Sequence, residues 1–482
     1  MQAAIRAAWQ AALPRFGLLL SVLLGSCQPA SAWEAYDGQS SGVVPGNAWA
    51  KAATPEDLGF SSAALAEARS FSEKVGTTAL MIVKDGVVVE AWGEIATKSN
   101  VFSGRKSLLS GLIGTEVDAG RIDLSASLAD LGIDDNEPAL TPSEKRATVG
   151  DLIKARSGIY HAALYETPGM TKSKPDRGSH PPGTKWHYNN WDFNTLGTIF
   201  EQQSGTGIFE AFKTRFAEPL QMQDYEVTDG DYVRGARSIH PAYPFHMTAR
   251  DLARFALLYL RQGRWGERQI LSQAWIEEST ATHSDLGPEH GYGYMWWTGE
   301  GRGFFRNLRI AEHSYYASGL GAQYAFVFPH LDLVIVHLVN RERSKRSPSF
   351  FQVGRLLWQI LAAGGATGLG PDPRIEKAPG RRLAKGDLED LLSGAKLSGQ
   401  RKDGKPWELT LSGDGSLSGV AGHGKEDSDS GSWRLQGDRY CRKWQRWAGR
   451  RERCYDIVAE GTELRAYDTT GTLNWSGKLL PR

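Results

Sequence analysis

Three absences in this 482-residue chain exclude whole classes of protein. Its 56 lysine and arginine residues balance 55 aspartate and glutamate residues, so no basic excess indicates a partner nucleic acid. Its three cysteines are too few for a disulfide-rich scaffold. No pair of histidines has the spacing typical of a zinc site, and we expect neither a metal ion nor another cofactor.

The N-terminal residues 1–32 have the pattern of an export signal. A short apolar run at 16–25 is followed by the small-x-small sequence of a signal peptidase site at 30–32. A second interpretation stays open, because residues 24–27 resemble a bacterial lipobox, in which an acylated Cys27 would tether the protein to a membrane. Both interpretations predict an exported protein, periplasmic or extracellular. No later stretch approaches about 20 uninterrupted apolar residues, so the sequence predicts no other membrane span.

Hydrophobic patterns over 33–380 predict one large domain. Apolar runs at 79–83 and 87–89 flank an Asp85-Gly86 turn and predict a hairpin, and runs at 324–328 and 331–336 predict two more strands. Helical periodicity marks 61–74 and 349–362. A helix-and-loop region lies between them. The order predicts an α/β (α+β) sandwich, in which an antiparallel sheet is flanked by helices and carries a helical insertion.

From about residue 381 the pattern changes. Short strand-like runs alternate with glycine turns and predict a small antiparallel β domain over 381–482. In an exported protein, Cys441 and Cys454 are expected to form a disulfide there, with two independent buried thiols as the alternative. The basic residues between them could contact an anionic cell-envelope polymer, or could simply be a solvated hairpin tip.

Ser103 and Lys106 have the S-x-x-K spacing, which places both side chains on one face of a helix. The apolar run at 108–114 predicts that a hydrophobic core surrounds this helix. A desolvated Lys106 could lose its proton and activate the Ser103 hydroxyl. Ser393 and Lys396 have the same spacing, but they lie in a polar stretch that we expect at the surface. Spacing alone would equally fit a helix cap and a solvated lysine.

Two further segments contain groups suited to acyl chemistry. Tyr188 and Asn190 follow a Pro-Gly turn and could face one cavity, where a phenol can relay a proton and an amide can orient a carbonyl group. The small residues at 317–319 directly precede a predicted strand, and backbone N–H groups there could donate to an oxyanion. An asparagine-stabilised turn, a packed tyrosine and a plain glycine turn are the alternatives.

These segments recur in this order in the serine β-lactamase-like hydrolases. That family includes class C β-lactamases, D-amino-acid peptidases, family VIII esterases and 6-aminohexanoate-dimer hydrolases. The chain resembles the family between about residues 54 and 364, in six segments that occur in the same order. They are 101–110, 147–159, 182–190, 218–222, 248–253 and 291–297. The resemblance implies a β-lactamase-like fold.

The same resemblance implies a role for each matching residue. Ser103 attacks a carbonyl carbon, Lys106 and Tyr188 accept and return its proton, and Asn190 holds the substrate's polar group. The N–H groups of Ser103 and Leu320 form the oxyanion hole, and water releases the acyl-enzyme.

The third motif differs from the family pattern. β-Lactamases have Lys-Thr-Gly there, whereas this chain has Ala317, Ser318 and Gly319, with a register that is open by a few residues. No register supplies the lysine that helps to bind a substrate carboxylate. We therefore expect a small-molecule amide or ester substrate, as in the esterase and 6-aminohexanoate-dimer hydrolase branch. The alternatives are a D-amino-acid or peptidoglycan peptidase, a β-lactamase, and a non-catalytic penicillin-binding-like binder or sensor.

Overall fold

The computed structural model describes residues 33–35, 43–287, 290–299, 304–305, 308–370, 381–400, 404–460 and 462–480. The predicted export signal and Cys27 lie outside these residues. Within the described ranges, no helix combines the length and the apolar character needed to cross a membrane.

Ten α-helices occur in the described residues. They are α1 (Ser62–Val75), α2 (Arg105–Asp118), α3 (Val149–Ile153), α4 (Pro168–Ser173), α5 (Asn190–Ser204), α6 (Ile208–Phe212), α7 (Ala249–Leu260), α8 (Gln273–Thr280), α9 (Phe350–Ala363) and α10 (Lys385–Leu392).

The strands of the first domain form one ten-stranded sheet and three short two-stranded pairs. In chain order they are β1 (Trp33–Ala35), β2 (Trp49–Lys51), β3 (Ala79–Lys84), β4 (Val87–Gly93), β5 (Ser99–Asn100), β6 (Val233–Gly235), β7 (Ser238–Ala242), β8 (His246–Met247), β9 (Arg264–Trp265), β10 (Arg268–Gln269), β11 (Ser284–Asp285), β12 (Gly291–Tyr292), β13 (Trp297–Gly299), β14 (Ser314–Gly319), β15 (Gln323–Phe328) and β16 (Leu333–Leu338).

The large sheet has the order β1-β2-β4-β3-β16-β15-β14-β13-β12-β11. Its pairs are antiparallel except at one edge, where β2 lies parallel to both β1 and β4. The predicted hairpin is confirmed, and Asp85 and Gly86 both take the positive φ angles that its tight turn needs. The sheet is therefore mixed, with an antiparallel centre.

Both faces of the sheet are covered, because successive side chains of its central strands point to opposite sides. Leu80 and Ile82 join a core with α1 and α9, whereas Met81 and Val83 join a second core with α2, α5 and α7. The structure thus confirms the β-lactamase-type sandwich. The helical insertion packs on the face that carries α2, and this arrangement brings the candidate site residues together.

The C-terminal strands form a closed antiparallel barrel of eight strands, with β17 added at one side. They are β17 (Arg381–Arg382), β18 (Lys396–Gln400), β19 (Pro406–Leu411), β20 (Ser416–Ala421), β21 (Asp427–Gln436), β22 (Arg439–Trp444), β23 (Arg453–Glu460), β24 (Glu463–Tyr467) and β25 (Leu473–Leu479). The barrel has its own hydrophobic core. The predicted small antiparallel β domain is confirmed.

The predicted disulfide is also confirmed. Cys441 on β22 and Cys454 on β23 are direct cross-strand partners and are bonded through their sulfur atoms. The bond closes a hairpin that carries six of the domain's lysine and arginine residues.

Candidate functional site

Ser103 lies in a short 3₁₀ turn, Phe102–Gly104, immediately before α2. Phe102 has a positive φ of 47°, which is uncommon for a residue other than glycine. The Asn100 side chain fixes this conformation, because its Oδ1 accepts a hydrogen bond of 2.7 Å from the Phe102 N–H. The turn holds Ser103 half-buried, at the N-terminal end of a buried helix.

Lys106 is one turn further along and directly contacts the serine. Its Nζ atom lies 2.9 Å from Ser103 Oγ. The lysine is almost completely buried, at 1% exposure, and its Nζ also lies 4.9 Å from the ring centres of Tyr188 and Phe193. The predicted pairing of these two side chains is therefore present in the structure.

The surroundings of Lys106 favour its neutral form. Burial is the main cause, and the positive charge of the adjacent Arg105 adds to it; together they hold the pKa of Lys106 well below its ordinary value of 10.5. A neutral amine has a lone pair and can accept the proton of a hydroxyl group 2.9 Å away.

Tyr188 completes the cluster from the segment before α5. Its hydroxyl group interacts with the Ser103 side chain, and burial raises the pKa of Tyr188 to about 12. The phenol therefore keeps its proton at neutral pH and can donate it. Trp297, Tyr292 and Phe193 surround its ring, with centroid distances of 5.8, 6.1 and 4.9 Å.

Asn190 is nearby but holds the protein's own backbone. Its Nδ2 group donates a hydrogen bond of 2.6 Å to the Tyr165 carbonyl oxygen. Its Oδ1 is buried and has no hydrogen-bond partner among the described residues. The contact of Asn190 with a substrate stays a prediction.

Strand β14 runs directly beside the Ser103 turn. A Cβ atom added to Gly319 would lie 2.0 Å from the Val101 carbonyl oxygen, which is far too close for any side chain. Glycine is therefore required for the two segments to approach this closely.

The other third-motif residues are small, polar or exposed. Ala317 is buried and carries no charge, and the hydroxyl group of Ser318 interacts with Tyr324. Leu320 follows the strand and is half exposed. The structure thus brings Gly319 to the serine turn, leaves the adjacent Leu320 half exposed, and uses the Ser318 side chain within the sheet.

The sequence did not predict two arginines that lie near the site. Arg105 is fully buried, with its guanidinium carbon 5.3 Å from the Tyr165 ring centre and 4.8 Å from that of Tyr243. Its Nη2 donates to Asn194 Oδ1, while Nε and Nη1 have no partner among the described residues. The apolar run at 108–114 predicts a buried helix, but it does not predict that the arginine at the start of this helix is buried too.

Arg341 reaches the site from the loop after β16. Its guanidinium carbon lies 5.8 Å from the Phe102 ring centre, and its aliphatic stem packs over Gly321. Arg341 therefore places an exposed positive charge at the rim of the site, whereas Ala317 of the third motif carries no charge. The 238 positions in sequence between Ser103 and Arg341 explain why no local motif reveals this contact.

The second S-x-x-K pair is not a comparable site. Ser393 caps the end of α10, whereas Lys396 begins β18, so the two do not share a helix face. Lys396 is exposed. Ser393 is exposed as well, so the expectation that this pair lies at the surface is confirmed.

Comparison with known proteins gives a family for the chain. Residues 63–350 match the family model described as Beta-lactamase, which is more than half of the chain. A search of curated proteins finds no match.

Solved structures with similar folds share little sequence with this chain. An octameric penicillin-binding protein homologue from Pyrococcus abyssi has 16% identity and a TM-score of 0.51, over 87% of this chain and 99% of its own. A Bacillus anthracis protein named as a 6-aminohexanoate-dimer hydrolase has 18% identity and a TM-score of 0.45, over 61% and 80%. A penicillin-binding protein homologue from Caulobacter crescentus has 20% identity and a TM-score of 0.43, over 63% and 94%. With the family match and the sandwich fold together, the chain belongs to the β-lactamase-like family of serine hydrolases.

Proposed function

We propose that the chain hydrolyses an amide or ester through an acyl-enzyme on Ser103. The observation that carries the proposal is the 2.9 Å contact between Ser103 Oγ and the buried Nζ of Lys106. A serine hydroxyl is a weak nucleophile unless an adjacent base accepts its proton. A lysine whose pKa is held well below its ordinary value by burial loses its proton more readily and can serve as such a base.

In the first half-reaction, Lys106 takes the Ser103 proton while Oγ forms a bond to the substrate carbonyl carbon. The negative charge on the carbonyl oxygen is stabilised by the backbone N–H groups of Ser103 and Leu320. The carbon–oxygen or carbon–nitrogen bond to the leaving group then breaks. The leaving group receives a proton from Tyr188, which is replenished by the Lys106 ammonium group.

In the second half-reaction, water attacks the acyl-Ser103 ester. Lys106 accepts the water proton as the water oxygen bonds to the acyl carbon, and its ammonium group then returns this proton to the departing Ser103 Oγ. The bond to Ser103 Oγ breaks, the serine recovers its proton, and the free acid leaves. Each step returns the two residues to the protonation states from which they began.

The substrate class is inferred from the third motif. Ala317 supplies no cation at the third motif, so an uncharged ester or amide needs no charged partner on this strand. Aromatic side chains around Tyr188, among them Trp297 and Tyr292, give an apolar wall for an acyl chain. An anionic substrate would instead meet Arg341 at the rim.

A substrate panel on the purified protein tests the proposal. We expect turnover of the uncharged ester p-nitrophenyl butyrate, and little turnover of nitrocefin or of D-alanine amides; turnover of 6-aminohexanoate dimer would show that the site also accepts a charged linear amide. Lys106→Gln should lower kcat by about 10²- to 10⁴-fold, the usual contribution of a general base. Lys396→Gln removes the lysine of the second S-x-x-K pair and should leave kcat unchanged.

The panel also distinguishes the alternatives. Preferred turnover of nitrocefin would indicate a β-lactamase, and release of D-alanine would indicate a peptidase. If no substrate is turned over and the Lys106→Gln variant retains the protein's function in cells, the chain is a binder or sensor instead.

A further inference from the structure

The barrel is filled at one end and open at the other. Helix α10 packs at the end where β18 begins, and Leu388 and Leu392 of this helix are buried in the barrel core with Leu411 and Leu417. The opposite end contains a cavity of about 580 Å³. Closed eight-stranded barrels have interiors of the size that holds one small ligand.

Four tryptophans give this cavity its walls. Its principal lining residues are Trp407, Trp444, Trp447, Trp475, Arg442 and Asp427. The ring centres of Trp444 and Trp447 are 4.7 Å apart, and those of Trp407 and Trp475 are 5.9 Å apart. Flat apolar surfaces of this kind favour a ligand with an aromatic ring.

Glycines inside the barrel make room for these rings. A Cβ atom on Gly419 would lie 2.7 Å from atoms of both Trp444 and Trp447. Cβ atoms on Gly399 and Gly477 would lie 2.4 and 2.6 Å from Trp407. The large aromatic residues and the glycines thus fit one another and leave the mouth of the barrel open.

The cavity contains one strongly polar group without an opposite charge. The guanidinium carbon of Arg442 lies 5.2 Å from the Trp475 ring centre and 5.8 Å from that of Trp444. Other arginines of the same domain form ion pairs with carboxylates: Arg434 with Glu452, Arg439 with Asp456 and Arg446 with Asp427. Arg442 forms none with a carboxylate of the residues that the structure describes.

The remaining acidic group of the cavity has its own partners. Asp427 accepts a hydrogen bond of 3.1 Å from the indole N–H of Trp447 and pairs with Arg446. The carboxylate therefore fixes the Trp447 side chain at the mouth. Arg442 contacts the Tyr455 ring and the Tyr440 hydroxyl group, but no carboxylate of the described residues balances its positive charge.

We propose that the barrel binds a small aromatic carboxylic acid, with its ring between the tryptophans and its carboxylate on Arg442. Guanidinium groups bind carboxylates through two parallel hydrogen bonds, and stacking between aromatic rings adds to the affinity. This site is separate from Ser103 and does not depend on the proposed hydrolase activity.

The test is calorimetric titration of the full chain with 2-naphthoate and with its neutral counterpart 2-naphthamide. We expect one naphthoate per chain, and naphthamide binding that is at least tenfold weaker because it lacks the charge. Arg442→Gln should weaken naphthoate binding by about tenfold or more and leave naphthamide binding nearly unchanged. Arg451→Gln removes an exposed charge of the same hairpin, outside the cavity, and should change neither.

Three results would overturn the proposal. They are no naphthoate binding at millimolar concentration, equal binding of naphthoate and naphthamide, and unaltered naphthoate affinity in a folded Arg442→Gln variant. The acid–amide comparison uses the unmodified protein, so it decides the question even if the variant fails to fold. Binding of a neutral oligosaccharide such as chitobiose in place of naphthoate would show that the walls recognise sugars instead.

Discussion

Gly319→Ala tests whether the close approach of β14 to the Ser103 turn matters for catalysis. The added Cβ would lie 2.0 Å from the Val101 carbonyl oxygen, whereas the closest ordinary carbon–oxygen contact is about 3.3 Å. The strand and the turn must therefore separate by about 1.3 Å, the difference between these two distances. A displacement of about 1 Å in an active site costs on the order of 100-fold in rate.

We expect Gly319→Ala to lower kcat for a p-nitrophenyl ester by about 100-fold. Overpacking should also reduce the free energy of unfolding by about 1–3 kcal/mol, which chemical denaturation measures. Gly104→Ala is the matched control, because its Cβ would lie 3.5 Å from Val101 Cβ, an ordinary contact, in a helical conformation. If Gly319→Ala and Gly104→Ala have equal activities, the strand does not form part of the site.

Three further predictions concern the charge and the stability of the two domains. Arg105→Met removes the cation beside Lys106, so the pKa of Lys106 rises and the acidic limb of the kcat/KM pH profile moves to higher pH; an unmoved limb would contradict this role. Lys106→Met removes an amine whose pKa is lowered by folding, so it should raise the free energy of unfolding. That gain is largest at low pH and disappears above about pH 10.4, where the unfolded lysine is also neutral; equal denaturation midpoints at pH 6 would count against burial as the cause. Cys441→Ser removes a disulfide between residues 13 positions apart and should destabilise the barrel by about 3 kcal/mol without lowering the reactivity of Ser103. If barrel stability and Ser103 reactivity both fall, the barrel supports the site.

Local patterns were sufficient to predict the elements that build the sandwich. Strand β3 and helices α1 and α9 lie within one residue of their predicted bounds, whereas β4 extends four residues beyond the predicted run, to Gly93. Turn chemistry, strand alternation and helical periodicity are properties of neighbouring residues, so the sequence shows them directly. Closure of the barrel was not predictable, because it depends on the pairing of β23 with β24 in addition to that of β24 with β25.

The candidate site was predictable in its residue types and less so in its geometry. The spacing predicted that Ser103 and Lys106 share a helix face, but Ser103 lies in a 3₁₀ turn and only Lys106 is in α2. Ser103 and Lys106 are nevertheless in contact, because the 3₁₀ turn continues directly into α2. Arg105 and Arg341 were not predicted, since burial of the first and the approach of the second depend on distant segments.

The central claim is that Ser103 is an activated nucleophile, and intact-mass analysis after treatment with a fluorophosphonate tests it most directly. The reagent forms a stable bond with activated serines, and we predict one adduct per chain on the unmodified protein. The adduct should be absent from Ser103→Ala and unchanged in Ser393→Ala, which alters the serine of the second S-x-x-K pair. No adduct on the unmodified protein, or the same adduct on Ser103→Ala, would contradict the account.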